Sequence, residues 1–190
     1  MAESGEADLV FSMLPVSVER LKRNPNLDVR IATIPRTRML KVNAASPLFS
    51  DVRVRRAISA ALDREGTTRV ILRNADLAAT QLFPKALAGW NDPELPPLKR
   101  DLTAAKALLA EAGWTPGADG ILQKDGKPFS FTLLTYASWP ELPPIATAIQ
   151  AQLKQVGIDA KVSVGNSSEI PARHKDGTLE MGLVSRLYSI

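Results

Sequence analysis

The spacing of apolar residues along the chain predicts three main helices. The first follows Ser50 or Asp51, either of which can cap a helix, and its apolar stripe consists of Val54, Ile58, Ala61 and Leu62. Residues 101–114 are rich in alanine and leucine, and Asp101 or Thr103 can serve the N-terminal turn of the helix. The segment ends at Gly113, which is typical of a helix C-terminus. Residues 140–157 repeat the pattern with the stripe Ile145, Ile149, Leu153 and Val156.

Shorter apolar runs predict the strands and the minor helices. Strands are expected at 7–14, 27–35, 36–44, 158–165 and 179–185, and a hairpin over 119–136 turns at Asp125-Gly126. Pro15 begins a short helix that ends at Asn24-Pro25. Two segments stay ambiguous: Gly66 interrupts the first helix before a short helix or extended run at 67–74, and 167–177 is a short helix or a turn. This order predicts one mixed α/β (α+β) domain over 1–190, with a mixed sheet flanked by helices.

Residues 74–100 form a long connection without periodicity, containing four prolines. Loops of this length are usually functional or packed by their own side chains. We predict a loop docked on the domain rather than a linker, with four apolar anchors: Leu82, Phe83, Leu87 and Trp90.

Composition excludes several classes of protein. The chain of 190 residues is 45% hydrophobic and 23% charged, which is ordinary for a globular domain. It has no cysteine, so disulfides, thiolate metal sites and cysteine nucleophiles are excluded. No apolar stretch is long enough to span a bilayer, and "MAESGEADLVFSML" lacks the features of a signal peptide.

Candidate chemistry in the sequence is sparse. His174 is the single histidine and stands in a polar, turn-like segment without a second nitrogen or sulfur ligand, so we interpret it as a surface residue and predict no metal site. There is no phosphate-binding glycine loop, nucleophile elbow or dinucleotide motif. We therefore predict neither catalysis nor a cofactor.

The segment 51–73 carries most of the net charge of +4, with six arginines against three acidic residues. One interpretation is a nucleic-acid-binding module that uses this arginine-rich helix. The other is a helix docked on the core, whose arginines are solvated or pair with Asp51, Asp63 and Glu65. The apolar stripe and the scarcity of aromatic residues favour the second interpretation.

Three segments together resemble a known family. They are "SPLFSDVRVRRAISAALDRE", "DLTAAKALLAEAGW…DGILQKDGKPFSFTLLTY" and "IATAIQAQLKQVGIDAKVSV", in this order. They resemble the solute-binding proteins of ABC importers in the dipeptide/oligopeptide/nickel-binding family, although Leu48 is inserted before Phe49. The positions that carry the resemblance as a structural signature are Asp51, Arg53, Arg55, Arg56, Asp63, Arg64, Gly113 and Trp114.

The resemblance implies a function and a context. The fold would be the C-terminal lobe of a type II periplasmic-binding-protein-like fold, and the chain a fragment of a larger two-lobe receptor that lacks its N-terminal lobe. That receptor would bind a peptide, a nickel or other metal chelate or a related small solute in the bacterial periplasm and deliver it to a membrane permease. The segment after the last strand would contribute to the ligand pocket, which makes Arg186 and Tyr188 the expected contacts. We expect the isolated lobe to bind weakly or not at all.

Overall fold

A computed structural model describes residues 2–11 and 13–188 of the chain. The elements follow in this order: α1 (Pro15–Leu21), β1 (Arg36–Val42), α2 (Val52–Ala61), α3 (Arg64–Ile71), a 3-10 turn (Ala75–Leu77), α4 (Leu102–Glu111), β2 (Thr115–Pro116), β3 (Leu122–Lys124), β4 (Lys127–Pro128), β5 (Ser130–Tyr136), α5 (Leu142–Lys154), β6 (Asp159–Gly165), α6 (Glu169–Lys175) and β7 (Met181–Leu187). The three predicted main helices are present, as are the strands predicted at 36–44, 158–165 and 179–185, and both ambiguous segments are helical.

The main sheet is mixed and has the strand order β1-β7-β5-β6. β5 pairs in parallel with both β6 and β7, whereas β1 pairs antiparallel with β7 at the edge. A separate small sheet joins β2, β3 and β4. The predicted mixed sheet flanked by helices is therefore confirmed.

The core lies between the main sheet and a layer made of α2, α4 and α5. Phe49 meets Phe131 edge-on at 5.0 Å between ring centroids, and Trp114 stacks on Phe129 at 4.2 Å. Alternation along β5 directs Phe131 and the fully buried Leu133 to this side of the sheet. Leu134 points to the other side, where α6 contributes Ile170 beside Gly182.

Helix ends follow the predicted signals. The Asp51 carboxylate caps α2 by accepting the backbone N–H of Arg53 at 2.8 Å. α4 has the equivalent cap at Asp101 and ends before Gly113, whose φ is +88°. The break after α2 differs from the prediction: it falls at Leu62 and Asp63, and Asp63 caps α3 by accepting the N–H of Gly66. Gly66 therefore lies inside a helix instead of interrupting one.

Two strand predictions are wrong. Residues 7–11, 13 and 14 are not in a strand, and neither are residues 27–35. Leu9, Phe11 and Ile31 are all exposed. β-Branched composition stabilises a strand only where a neighbouring strand and a packed face are available. Within the described chain these segments have neither.

The predicted hairpin is only partly correct. Asp125 and Gly126 both have positive φ, as a type I′ turn requires, and they join β3 to β4. Residues 130–136 leave this hairpin and enter the main sheet between β6 and β7. Burial of Leu133 and Leu134 in the sheet outweighs local pairing with β3.

The long connection 74–100 contains only the 3-10 turn Ala75–Leu77. Of its predicted anchors, Leu87 is buried and Phe83 is half-buried, but Leu82 and Trp90 are 50% and 70% exposed. The Leu82 carbonyl instead accepts a hydrogen bond from the Thr37 hydroxyl at 2.8 Å. The segment is therefore held partly by a hydrogen bond, whereas the sequence predicted that buried apolar side chains would hold it.

Candidate functional site

A topological switch point lies at the carboxyl ends of β5 and β7. From β5 the chain passes through α5 to β6 on one side, then through α6 to β7 on the other side of β5. Open α/β sheets bind ligands in the crevice outside the carboxyl ends of the strands at such a point. Tyr136 ends β5 and Leu187 ends β7 here, and Arg36 begins the antiparallel β1 at the same edge. We call this region the switch-point crevice.

Arg36 is held in the crevice by an aromatic contact. Its guanidinium carbon lies 3.7 Å from the centroid of the Trp139 ring, in the connection between β5 and α5. The Arg36 side chain makes no hydrogen bond to any residue of the described chain, and its Nε is buried without a partner. A guanidinium carries five N–H donors and no acceptor, so this one retains its capacity to bind an anion.

The charge of the next arginine on β1, Arg38, is balanced by an ion pair. Arg38 donates from Nε to the Glu141 carboxylate at 3.0 Å, and a second, shorter contact joins the same two groups. Glu141 is buried at the start of α5 and does not cap that helix with its side chain. The pair is therefore internally neutral, and Arg36 is left with an unbalanced positive charge.

Ser185 supplies a second unpartnered group. It pairs with Arg38 across β1 and β7, so alternation puts Ser185, Arg38 and Arg36 on one face of the sheet. The Ser185 Oγ is buried without a hydrogen-bond partner, while its backbone N–H donates to the Tyr136 hydroxyl at 3.1 Å. The Arg36 Nε and the Ser185 Oγ are the two buried unpartnered side-chain atoms of the described chain.

The electrostatics of the crevice favour an incoming negative charge. Burial lowers the pKa of the Arg36 guanidinium from its usual value, and the nearby charge of Arg38 acts in the same direction. Glu141 and Tyr136 oppose these effects without cancelling them. A carboxylate brought next to Arg36 would relieve both effects, because an opposite charge stabilises the ionised form.

The predicted contacts Arg186 and Tyr188 lie on the opposite face of β7 from Ser185. Arg186 pairs with Thr37 in the β1–β7 ladder, and its exposed side chain makes no hydrogen bond or ion pair within the described chain. The Tyr188 hydroxyl donates to the Leu82 carbonyl at 3.2 Å, and its ring lies 5.3 Å from that of Phe83. Phe83 in turn contacts Trp90, with 5.4 Å between ring centroids. Tyr188 thus joins an aromatic cluster at the rim of the crevice.

The signature residues lie away from the crevice and make structural contacts. Arg53 bonds to the Asp51 carboxylate and to the Glu111 carbonyl at the end of α4. Arg55 donates to the carbonyls of Phe49 and Ser50.

Most of the remaining signature residues also make structural contacts. Arg64 donates to the carbonyl and the hydroxyl of Ser59, and burial lowers its pKa. Arg56 is exposed. Asp63, predicted as an arginine partner, instead caps α3, whereas Glu65 does pair with an arginine, Arg69. Gly113 and Trp114 connect α4 to the small sheet.

Other candidate sites carry little chemistry. His174 is exposed on α6. In residues 2–11 and 13–188, no three side chains of the metal-binding types converge. Over the same residues, no helix has the length and apolarity to cross a membrane. Two surface depressions lie elsewhere, one beside Asp51 and Trp114 and the other beside Asn43 and His174.

Sequence reasoning missed Arg36, Trp139 and Ser185. A usable signal existed for two of them, because residues at or just after the carboxyl end of a parallel strand line the binding edge of such sheets. Trp139 follows the end of β5 by three residues, and Ser185 stands near the end of β7. Arg36 could not be found in this way, since its position depends on the antiparallel pairing of β1 with β7.

Comparison with known proteins agrees with this fold. A family model described as "Bacterial extracellular solute-binding proteins, family 5 Middle" matches residues 1–189. The oligopeptide-binding protein AppA of Bacillus subtilis is 40% identical over 126 residues, which cover 64% of this chain and 23% of that protein. The nickel-binding periplasmic protein of Escherichia coli is 29% identical over 184 residues, which cover 94% of this chain and 35% of that protein.

Solved structures give the same result. NikA from Brucella suis in complex with Fe(III)-EDTA superposes with a TM-score of 0.83 at 30% identity, over 97% of this chain and 38% of that one. AppA from Bacillus subtilis in complex with a nonapeptide has a TM-score of 0.81 at 29% identity, over 94% of this chain and 36% of that one. The predicted periplasmic-binding-protein type II fold class is confirmed.

The chain belongs to the bacterial extracellular solute-binding proteins, family 5. This confirms the resemblance found in the three sequence segments. The alternative of a nucleic-acid-binding module has no support, since these relatives are binding proteins for oligopeptides and nickel. The chain spans between about a quarter and two fifths of the length of the relatives described above.

Proposed function

We propose that this chain forms one wall of the binding site of an ABC-importer receptor for a peptide, a metal chelate or a related small solute. The observation that carries the proposal is the switch-point crevice, where arginine and aromatic side chains gather at the carboxyl edge of a family 5 fold. Such a receptor binds without chemical conversion.

In this proposal Arg186 and Tyr188 contact the solute at the rim of the crevice. Arg186 is exposed and unpaired in the described chain, so its guanidinium is available to a ligand carboxylate. Tyr188 offers an aromatic face and takes part in a cluster with Phe83.

The rest of the receptor would cover apolar surface that this chain leaves exposed. Large exposed apolar residues accumulate before β1 and in the long connection: Leu9, Phe11, Val16, Ile31, Ile34, Leu82 and Trp90. Exposed apolar surface of this extent is typical of an interaction site. We assign it to the other lobe of a longer protein, and we further propose a periplasmic location and a membrane permease as partner.

Calorimetric titration tests this function. The probes are a nonapeptide and the nickel complex Ni(L-His)2, added to the longer protein and to the 190-residue chain alone. We expect the longer protein to bind one probe with micromolar or better affinity, and the chain alone to bind weakly, because one wall buries only part of a ligand. Absence of binding by the longer protein contradicts the receptor function. Equal affinity of the two proteins contradicts the one-wall arrangement.

A further inference from the structure

The strongest unassigned feature is the unpaired guanidinium of Arg36 beside the unpaired hydroxyl of Ser185. Buried polar groups in proteins nearly always have hydrogen-bond partners, and an exception requires an explanation. Here the two exceptions of the described chain, Arg36 Nε and Ser185 Oγ, lie on the same face of β1 and β7. Arg36 lies diagonally across the strand pair from Ser185, within the reach of a long side chain.

The charges around Arg36 leave it unsatisfied by the protein. Glu141 is the acidic group that faces this region, and Arg38 already occupies it through two hydrogen bonds. Arg36, Arg38 and Glu141 together therefore carry one net positive charge in a half-buried setting. A positive charge in such a setting is costly until an anion joins it.

Trp139 positions the guanidinium. The Arg36 guanidinium carbon lies over the Trp139 ring, 3.7 Å from the ring centroid, so the ring holds the charged group in place. The N–H groups of a guanidinium lie in one plane and form a fork that a planar acceptor can meet edge-on. Carboxylate is the planar acceptor that matches this fork.

We propose that Arg36, positioned by Trp139, and Ser185 bind a carboxylate of the solute, which makes the ligand class of this receptor a carboxylate-bearing solute. The inference rests on the proposed function. The carboxylate comes either from the C-terminus of a peptide or from the chelating molecule of a metal complex. Arg36 rather than the exposed Arg186 provides the main charge, because an ion pair is worth more when it is shielded from solvent.

Matched acid and amide probes test the proposal in the longer protein that contains this chain. The first pair is a nonapeptide with a free or an amidated C-terminus, and the second is the nickel complex of L-histidine or of histidinamide. We expect the unaltered protein to bind the acid member of one pair about tenfold or more tightly than its amide. The pair that is bound identifies the source of the carboxylate.

Substitutions then identify which side chain binds the carboxylate. R36Q should lose about tenfold or more in affinity for the acid and little for the amide, whereas R186Q should lose less. R36K should give an intermediate loss, because it keeps the charge but not the planar fork. S185A should weaken binding of the acid by a smaller factor. R30Q is the control, since Arg30 is exposed and pairs with Asp28 outside the crevice.

The outcomes separate the two proposals. Binding of the acid by R36Q within about twofold of the unaltered protein overturns the Arg36 assignment while the receptor function stands. Equal affinity of the unaltered protein for acid and amide overturns it as well, even if R36Q fails to fold. Binding of none of the four probes by the unaltered protein overturns both the receptor function and this inference.

Discussion

The Glu141 carboxylate is hydrogen-bonded to the Arg38 guanidinium, and this contact joins β1 to the start of α5 across 103 positions of sequence. Both side chains are shielded, with exposures of 25% for Arg38 and 9% for Glu141. The pair also neutralises the arginine nearest to Arg36, so its role is both structural and electrostatic.

E141Q should lower the free energy of unfolding by about 2–3 kcal/mol, because it leaves the Arg38 charge shielded and unbalanced. E65Q is the matched control: Glu65 also pairs with an arginine, Arg69, but both side chains are mostly exposed. Its effect should stay below about 0.5 kcal/mol. Chemical denaturation measures both variants, and equal losses would contradict the structural role of the Arg38–Glu141 pair.

Alanine substitutions at Gly157 and Gly177 distinguish the cost of backbone strain from the cost of a steric clash. Both have positive φ, +79° and +78°, but a Cβ at Gly157 would lie 2.8 Å from the Leu122 side chain, whereas one at Gly177 would meet nothing within 4 Å. G177A should therefore cost about 1 kcal/mol from backbone strain alone. G157A should cost at least about 1 kcal/mol more, because the small sheet must shift. Thermal and chemical unfolding compare them, and equal costs would refute the close approach of Leu122.

S185A removes a buried hydroxyl that has no partner, so without ligand its effect on stability should be within about 0.5 kcal/mol of zero or slightly stabilising. T135V is the matched control, since the buried Thr135 hydroxyl donates to the Leu183 carbonyl at 3.1 Å. That variant should lose about 1 kcal/mol. Denaturant midpoints without ligand give the comparison. A large loss in S185A would mean that the hydroxyl has a structural partner.

The pKa of Asp51 is lowered from 3.8 to about 2, first because the Arg53 side chain donates to the carboxylate and second because the Arg53 backbone N–H does. A lowered carboxylate pKa adds stability that is present above the unfolded pKa of 3.8. That stability is lost as pH falls from there through about 2.

Titration of the Asp51 carboxyl by NMR checks this value. R53Q should raise the pKa of Asp51 toward its ordinary value without reaching it, because the backbone N–H remains. R56Q is the control, since Arg56 is exposed on the same helix and makes no hydrogen bond or ion pair to Asp51. An unchanged pKa in R53Q would show that the backbone bond alone is responsible.

Local signals in the sequence were sufficient for the three main helices and for the family. Asp51, Asp101 and Gly113 act within one turn of chain, so their capping roles do not depend on distant residues. The arginine-rich motif was correctly separated from a nucleic-acid surface because its apolar stripe buries Val54 and Ile58. Caps depend on adjacent residues and the apolar stripe depends on helical periodicity, so both can be recognised in a single sequence.

Tertiary structure alone decided the sheet and the crevice. The segments 7–14 and 27–35 have strand-like composition, yet the described residues find no pairing partner, whereas 130–136 leaves its hairpin to become a central strand. The meeting of Arg36 with Trp139 requires β1 to pair with β7 and β7 with β5. Arg36 pairs with Leu187, 151 positions away, and Leu133 with Met181, 48 positions away. Strand pairing is a long-range choice made by burial of the whole core, so sequence patterns predict which residues favour strands but not which strands become neighbours.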